Sequence, residues 1–228
     1  MDIAYQTLRA IALCNNYNIW LFDLLKPYLG KEILEIGCGI GNLTYYFKND
    51  RKFVAIDKEP KYISYIKLDF ADVEVYDCDI VDPKILHEKN YTFNSVICIN
   101  VLEHIKEDDK ALSNMYDLTK KNGNAILVVP AHRFLYGELD KNVEHWRRYT
   151  KKELTGKIIR AGYTIKDAFY FNRIGAIGWF VNSKIIKRKK ISFVQLLLFD
   201  KIVFLLRKID RLFNLPFGIS LIIIAEKK

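Results

Sequence analysis

Side chains able to move a proton at neutral pH are few in this chain, and they gather in two places. Of the four histidines, His104 follows the apolar run SVICINVLE, while His132 and His145 lie in VPAHRFLYGELDKNVEHWRRYT, from Val129 to Thr150. A neutral imidazole takes the proton from an acceptor hydroxyl, a contribution of roughly 10²–10⁴-fold to a rate. His104 and His145 are therefore the catalytic candidates. Arg147 and Arg148, adjacent on the same segment, have the fork geometry that clamps a carboxylate or a phosphate. With His132, Tyr136 and Tyr149 they make up the candidate substrate-binding set. Each has a plainer reading. His104 can cap a helix, His132 can be structural, Glu103 reads as an exposed or capping acid, and the arginines can pair with Glu138, Asp140 or Glu144. The cysteines form no CxxC pair and the histidines show no ligand spacing, so no metal site is expected.

A second set of residues points to a bound nucleoside. ILEIGCGIGNLT, from Ile33 to Thr44, reads as a buried strand ending in a glycine-rich turn that opens a helix. Gly37, Gly39 and Gly41 fall on alternate positions, where backbone bends tightly and approaches a ligand with no Cβ in the way. The dinucleotide fingerprint needs a third glycine three positions after the second. Here that position is Asn42, and no GK[ST] follows for a phosphate-cradling loop. Glu35 beside the turn would repel pyrophosphate but accept bonds from an ammonium group. Asp57 ends the apolar segment FVAI twenty positions after Gly37, the distance at which an acidic side chain accepts bonds from ribose hydroxyls; its plainer reading is a helix cap. A nucleoside cofactor with an amine and no phosphates meets these conditions, and S-adenosylmethionine fits.

Four motifs in this order resemble the class I S-adenosylmethionine-dependent methyltransferases: the glycine turn, Asp57, YDCDIVD (Tyr76 to Asp82) and SVICINVLEHI (Ser95 to Ile105). The resemblance covers roughly residues 17–172 and a closing strand near the C-terminus. It implies a cofactor lying across Glu35, Gly37, Cys38, Gly39, Gly41, Asp57, Lys58, Asp79, Ile80, Asn100 and Val101. Asp79 and the apolar residue after it would hold the adenine, and the strand end at Asn100 would face the methyl group. S-adenosylhomocysteine is then the product. The loop from Val129 to Thr150 also resembles a bacterial and archaeal subgroup with a PAHxxLYGxxD…GHxRRYT pattern, often associated with glycosyltransferases and surface glycan or lipid assembly. Asp140, His145, Arg147, Arg148 and Tyr149 match it, while Glu144 stands where the pattern carries glycine. The implied reaction is methylation, with O-methylation leading, of a small polar, sugar-containing or lipid-linked acceptor. The alternatives are an RNA methyltransferase and a non-catalytic cofactor-binding protein of the same fold. Against RNA, the chain shows no RNA-recognition signature and no (N/D)PPY motif, since Val101 and Leu102 follow Asn100.

The elements that must position these residues alternate. Strands are expected at about 33–36, 53–56, 73–76, 95–99, 125–129, 168–172 and 221–225, with helices near 42–48, 59–67, 82–88, 108–119 and 151–161. Continuous apolar runs such as AILVV suit parallel strands covered on both faces. The expected fold is thus α/β: a doubly wound, Rossmann-like, mostly parallel seven-stranded sheet with its ligand at the strands' carboxyl ends. The 228 residues read as one domain. Within it, 1–30 is a helical lid, 130–149 an irregular substrate loop, and 173–218 a helical insertion before the last strand. In that insertion Leu198, Ile202, Leu205, Ile209 and Phe213 recur at helical spacing, in runs too short to span a bilayer. It is expected to form a cover or a homodimer face, or to make peripheral membrane contact through 184–213, with Lys187 to Lys190 meeting anionic headgroups. A net charge of +9 favours anionic partners without choosing among them. The four cysteines and the lack of a signal-like start suit a reduced, cytoplasmic setting.

Overall fold

The computed structural model describes residues 3–49, 51–188, 192–212 and 216–228. Its seven strands are β1 (Glu32–Ile36), β2 (Lys52–Asp57), β3 (Glu74–Asp77), β4 (Phe93–Ile99), β5 (Thr119–Pro130), β6 (Thr164–Phe171) and β7 (Ser220–Glu226). They form a single sheet in the order β3-β2-β1-β4-β5-β7-β6. The first five positions pair in parallel, and β7 runs antiparallel to both β5 and β6. Strand order reverses between β1 and β4, which opens the crevice of a doubly wound sheet at their carboxyl ends. The fold class is the one expected.

The helices are α1 (Ile3–Ala12), α2 (Asn15–Leu25), α3 (Thr44–Phe47), α4 (Pro60–Asp69), α5 (Lys84–Glu88), α6 (Asp108–Leu118), α7 (Glu138–Asn142), α8 (Lys151–Arg160), α9 (Arg173–Phe180) and α10 (Phe193–Leu212). Local chemistry explains several starts. Pro60 opens α4, where its missing N–H costs nothing. Asp108 and Asp109 face the positive end of α6. The Thr150 hydroxyl caps α8 by accepting from Glu153 N–H.

Because the strands are apolar on both sides, two cores form. On one face Leu34, Ile36, Cys98 and Leu127 pack against Leu112, Met115, Leu154 and Ile158 of α6 and α8. On the other, Ile33, Ala55, Ile97 and Ile224 pack against Trp20, Leu21, Ile63, Val203 and Leu206 of α2, α4 and α10. All four cysteines are buried and free. No helix among the described residues is long and apolar enough to cross a membrane.

Two expectations change here. The 1–30 segment breaks at Leu13 and Cys14, and only α1 is lid-like; α2 buries Trp20, Leu21 and Leu25 and belongs to the core. The 130–149 segment is not irregular, since it holds a 3₁₀ turn (Arg133–Leu135) and α7. The helical insertion is present as α9, a π turn (Val181–Ile185) and α10. Lys189, Lys190 and Phe213 lie outside the described residues.

Buried acids anchor the insertion. Asp200 of α10 is 7% exposed and accepts from Asn16 N–H (3.3 Å), Asn16 Nδ2 (3.1 Å) and Tyr17 N–H (2.8 Å), so it caps α2 from a distant part of the chain. Asp210 does the same for α9, accepting from Asn172 N–H and Arg173 N–H. Asp200→Ala leaves these helix-end donors without a partner and is expected to cost about 1–3 kcal/mol, read as a lower midpoint in urea unfolding with an unchanged slope.

Candidate functional site

The glycine turn hangs on its neighbour strand: Gly37 N–H and Cys38 N–H both donate to the Ile56 carbonyl, at 2.8 and 3.1 Å. Gly37, Gly39 and Gly41 all take positive φ (70°, 53° and 84°), a region that side chains with a Cβ resist. A Cβ at Gly37 would fall 2.3 Å from Val101 Cγ2, so this glycine lets the end of β4 close on the turn. At Gly39 the nearest atom to such a Cβ is Leu8 Cδ1, at 3.3 Å. Helix α1 therefore lies directly on the turn, held there by Asn42 Nδ2 donating to the Leu8 carbonyl (2.9 Å) and by Tyr5 stacked on Tyr65.

Two carboxylates flank the turn. Asp57 is 8% exposed and accepts from Gly39 N–H (2.8 Å) and Glu59 N–H (3.0 Å), one bond on each oxygen, which leaves lone pairs for further donors. Burial raises its carboxyl, and those backbone bonds partly oppose the rise. Glu35 is 6% exposed beneath the turn, accepts from Thr44 Oγ1 at 2.5 Å, and is pushed by burial to about 8. Cys38 is buried in the turn, and desolvation drives its thiol well above the ordinary range. Beyond β3, Ile80 is buried, while Asp79 is exposed and accepts from Val81 N–H. Asn100 holds a left-handed φ of 52° at the end of β4, and its N–H donates to Val128. An ammonium group, ribose hydroxyls and an apolar shelf for a base thus find matching groups along one sheet edge. A cavity of about 380 Å³ lined by Tyr28, Gly30, Asn94 and Asn124 opens at the opposite, amino end of the strands and carries none of these motifs.

The loop after β5 folds back onto the end of β4. Trp146 N–H donates to the Glu103 carbonyl (2.9 Å), and this bond sets His145 against His104, ring centroids 4.8 Å apart and edge to face. The two catalytic candidates, 41 positions apart in sequence, are thus neighbours. Burial and the adjacent His145 hold the His104 imidazole down at about 4, and the exposed Lys58 adds to that field. His145 Nδ1 meets Asp140 Oδ1 at 2.9 Å, and Nε2 faces Glu103 Oε1 at 3.8 Å. Glu103 is not the exposed or capping acid expected: it is fully buried, with neither oxygen hydrogen-bonded, and burial pushes its carboxyl to about 7.

The substrate-binding set divides. Arg148 is 2% exposed, donates to Asp140 (2.7 Å) and the Ala131 carbonyl (3.1 Å), and lies over the Trp179 ring. Tyr149 is fully buried and donates to Asp108 (2.9 Å). Both are engaged within the protein and hold the loop. Arg147 pairs with Asp108 at 2.9 Å and donates to the Lys106 carbonyl, so its fork is already engaged by the start of α6. Tyr136 donates to the His145 carbonyl and braces the same turn. His132 lies in a separate ring stack with Tyr170 (4.7 Å) and Phe217 (5.2 Å), its Nε2 buried without a partner. Asp108, which also binds Lys157, was not singled out from the sequence. Glu144 adopts φ 62°, the left-handed backbone that glycine would supply, with its side chain in solvent.

Comparison with known proteins bears on the fold. The sequence profile described as a methyltransferase domain matches residues 34–125. Protein 235L of Invertebrate iridescent virus 6, named as a candidate methyltransferase, is 27% identical over 136 residues, which cover 56% of this chain and 49% of that protein. The chain thus spans about half the length of the curated relative it matches. A SAM-dependent methyltransferase from Archaeoglobus fulgidus superposes with a TM-score of 0.60 at 17% identity, covering 92% of this chain and 94% of that one. Phosphoethanolamine N-methyltransferase 2 of Haemonchus contortus, solved with S-adenosyl-L-methionine, gives 0.60 at 17%, covering 93% and 52%. At such identities the likeness is one of fold. The chain carries the class I S-adenosylmethionine-dependent methyltransferase fold.

Glu35 supplies a pH signature. A carboxyl whose folded value lies above its ordinary 4.5 binds its proton more tightly folded than unfolded, so its contribution to stability falls as pH rises from 4.5 to about 8. Glu35→Gln is therefore expected to gain melting temperature relative to the wild type on going from pH 5 to pH 8.5, measured without cofactor.

Proposed function

We propose that the protein transfers a methyl group from S-adenosylmethionine to a hydroxyl of a small polar, sugar-containing or lipid-linked acceptor. One observation carries this reading: Glu103, His104 and His145 converge beyond the end of β4, two residues from Val101, whose side chain packs on the glycine turn. Proton-handling groups and cofactor turn thus share one edge of the sheet. Bound S-adenosylmethionine supplies a sulfonium methyl group, open to in-line displacement. The chain's part is chiefly positioning, worth about 7–11 kcal/mol. Asp57 would accept from the ribose, Glu35 would meet the ammonium, and Asn100 with Val101 would line the end of β4 beside them. His104 and His145 would face the acceptor, where an imidazole lone pair would take the hydroxyl proton.

The insertion fits a lipid-linked acceptor. Val203 and Leu206 of α10 are buried against the domain, while Val194, Leu198, Ile202 and Leu205 form an exposed apolar stripe on the same helix; Ile177 and Phe180 of α9, Ile185 and Ile186 are exposed as well. Lys184, Lys187 and Lys201 lie among them. An apolar strip edged by cations favours an anionic lipid interface over water.

Titration calorimetry is expected to detect S-adenosylmethionine binding, weakened on the order of 10–100-fold by Asp57→Ala, as for loss of bonds to a charged group; no binding at millimolar cofactor refutes the reading. Co-sedimentation with vesicles rich in anionic lipid is expected, and is expected to be lost in Leu198→Gln/Ile202→Gln. Recovery of the wild type in the supernatant as a dimer assigns the stripe to self-association instead.

A further inference from the structure

Glu103 poses a problem that the proposed reaction leaves unsolved. A fully buried carboxyl with neither oxygen hydrogen-bonded, and only His145 Nε2 at 3.8 Å facing it, is short of partners, and such groups are normally bonded, neutralised or bound to an ion. Around it stand two imidazoles, 4.8 Å apart between ring centroids. His145 Nδ1 is held by Asp140 at 2.9 Å, so Nε2 points at Glu103. The His104 ring stands edge to face against His145, and one of its nitrogens shares the same space. One ligand atom from each of the three residues lies within 4.8 Å of the others. A carboxylate behind a histidine, fixing its orientation and tautomer, is the usual outer support of a metal ligand.

We infer that Glu103, His104 and His145 form a binding site for one divalent first-row transition cation, of the two-histidine, one-carboxylate kind with open coordination positions. Ligand bonds of about 2.0–2.2 Å put ligand atoms roughly 3–4 Å apart, so the cluster closes around an ion with side-chain shifts of about 1 Å. Zn²⁺ and Mn²⁺ suit this mix of nitrogen and oxygen ligands. No ligand spacing marks the site along the chain, because its ligands come from two separated segments, a Glu-His pair after β4 and a histidine in the loop. A cation held there would occupy the imidazole lone pairs, so the cation and not the histidines would activate an acceptor hydroxyl, by acidifying it. That role rests on the methyl-transfer reading; the binding site does not.

The test separates the two. The full chain, stripped with a chelator and dialysed, is titrated with Zn²⁺ and with Mn²⁺ without cofactor or acceptor, and bound metal is counted by elemental analysis. Close to one equivalent is expected for the wild type. Glu103→Gln, which keeps the shape of the side chain, is expected to weaken binding at least 10-fold, and His104→Gln likewise, while S-adenosylmethionine affinity stays within 2-fold for both. Co²⁺ in place of zinc is expected to give a visible absorption band that Glu103→Gln abolishes. No stoichiometric metal, or metal retained equally by both variants, overturns the site and makes Glu103 a buried neutral acid. Failure of cofactor binding refutes the methyltransferase reading and leaves the metal result standing.

Discussion

One buried carboxylate holds the acceptor side of this molecule together. Asp140 is fully enclosed, and it accepts from Gly137 N–H, His145 Nδ1 and Arg148 Nε. Burial alone would raise its carboxyl, but the bond from His145 and the charge and bond of Arg148 hold it below the ordinary range. A lone charge placed there would cost several kcal/mol, so the three donors and the acid form a unit that assembles or fails as one. Arg148 extends the unit to the Ala131 carbonyl and the face of Trp179, tying the end of β5 to α9. The turn carrying His145 is fixed because a charge in its middle had no other solution.

A second chain of contacts connects that unit to the cofactor side. Val101 fills the space that Gly37 leaves by having no Cβ, and two residues later Glu103 hands its carbonyl to Trp146. The backbone between them is a single 3₁₀ turn, Leu102–His104. A displacement at either end is felt at the other within a few ångströms, with no need for motion of the whole domain.

What the sequence disclosed was what is encoded locally. Strand, glycine turn and helix follow each other within a dozen residues around Gly37, so spacing alone exposed the turn and the acid at the end of the next strand. The alternation of apolar segments likewise exposed the sheet. Pairings made over long distances were hidden. Glu103 looked like a surface acid because nothing near it in sequence buries it; the cover comes from a loop forty residues on. Arg147 and Tyr149 looked free to meet a ligand because their partner, Asp108, sits at the start of another helix. The break between α1 and α2 carries no proline or glycine. Asp200, far along the chain, takes the N–H groups of Asn16 and Tyr17 and decides where α2 begins. Glu144 shows the converse: a glycine-like backbone persists without glycine, because the bonds on either side of it leave the chain no other path.

Helix α1 resting on Gly39 has a kinetic consequence. Under the proposed function a nucleoside bound against the turn would lie under a cover whose fastenings include the Asn42–Leu8 hydrogen bond and the Tyr5–Tyr65 ring stack, so entry would wait for the intervals when they part. The same fastenings would slow departure. Gating of this kind scales the on-rate and the off-rate together and leaves the equilibrium constant to the groups that touch the ligand. Retention time and affinity would then be set by different residues, and turnover would be open to pacing by the swing of α1.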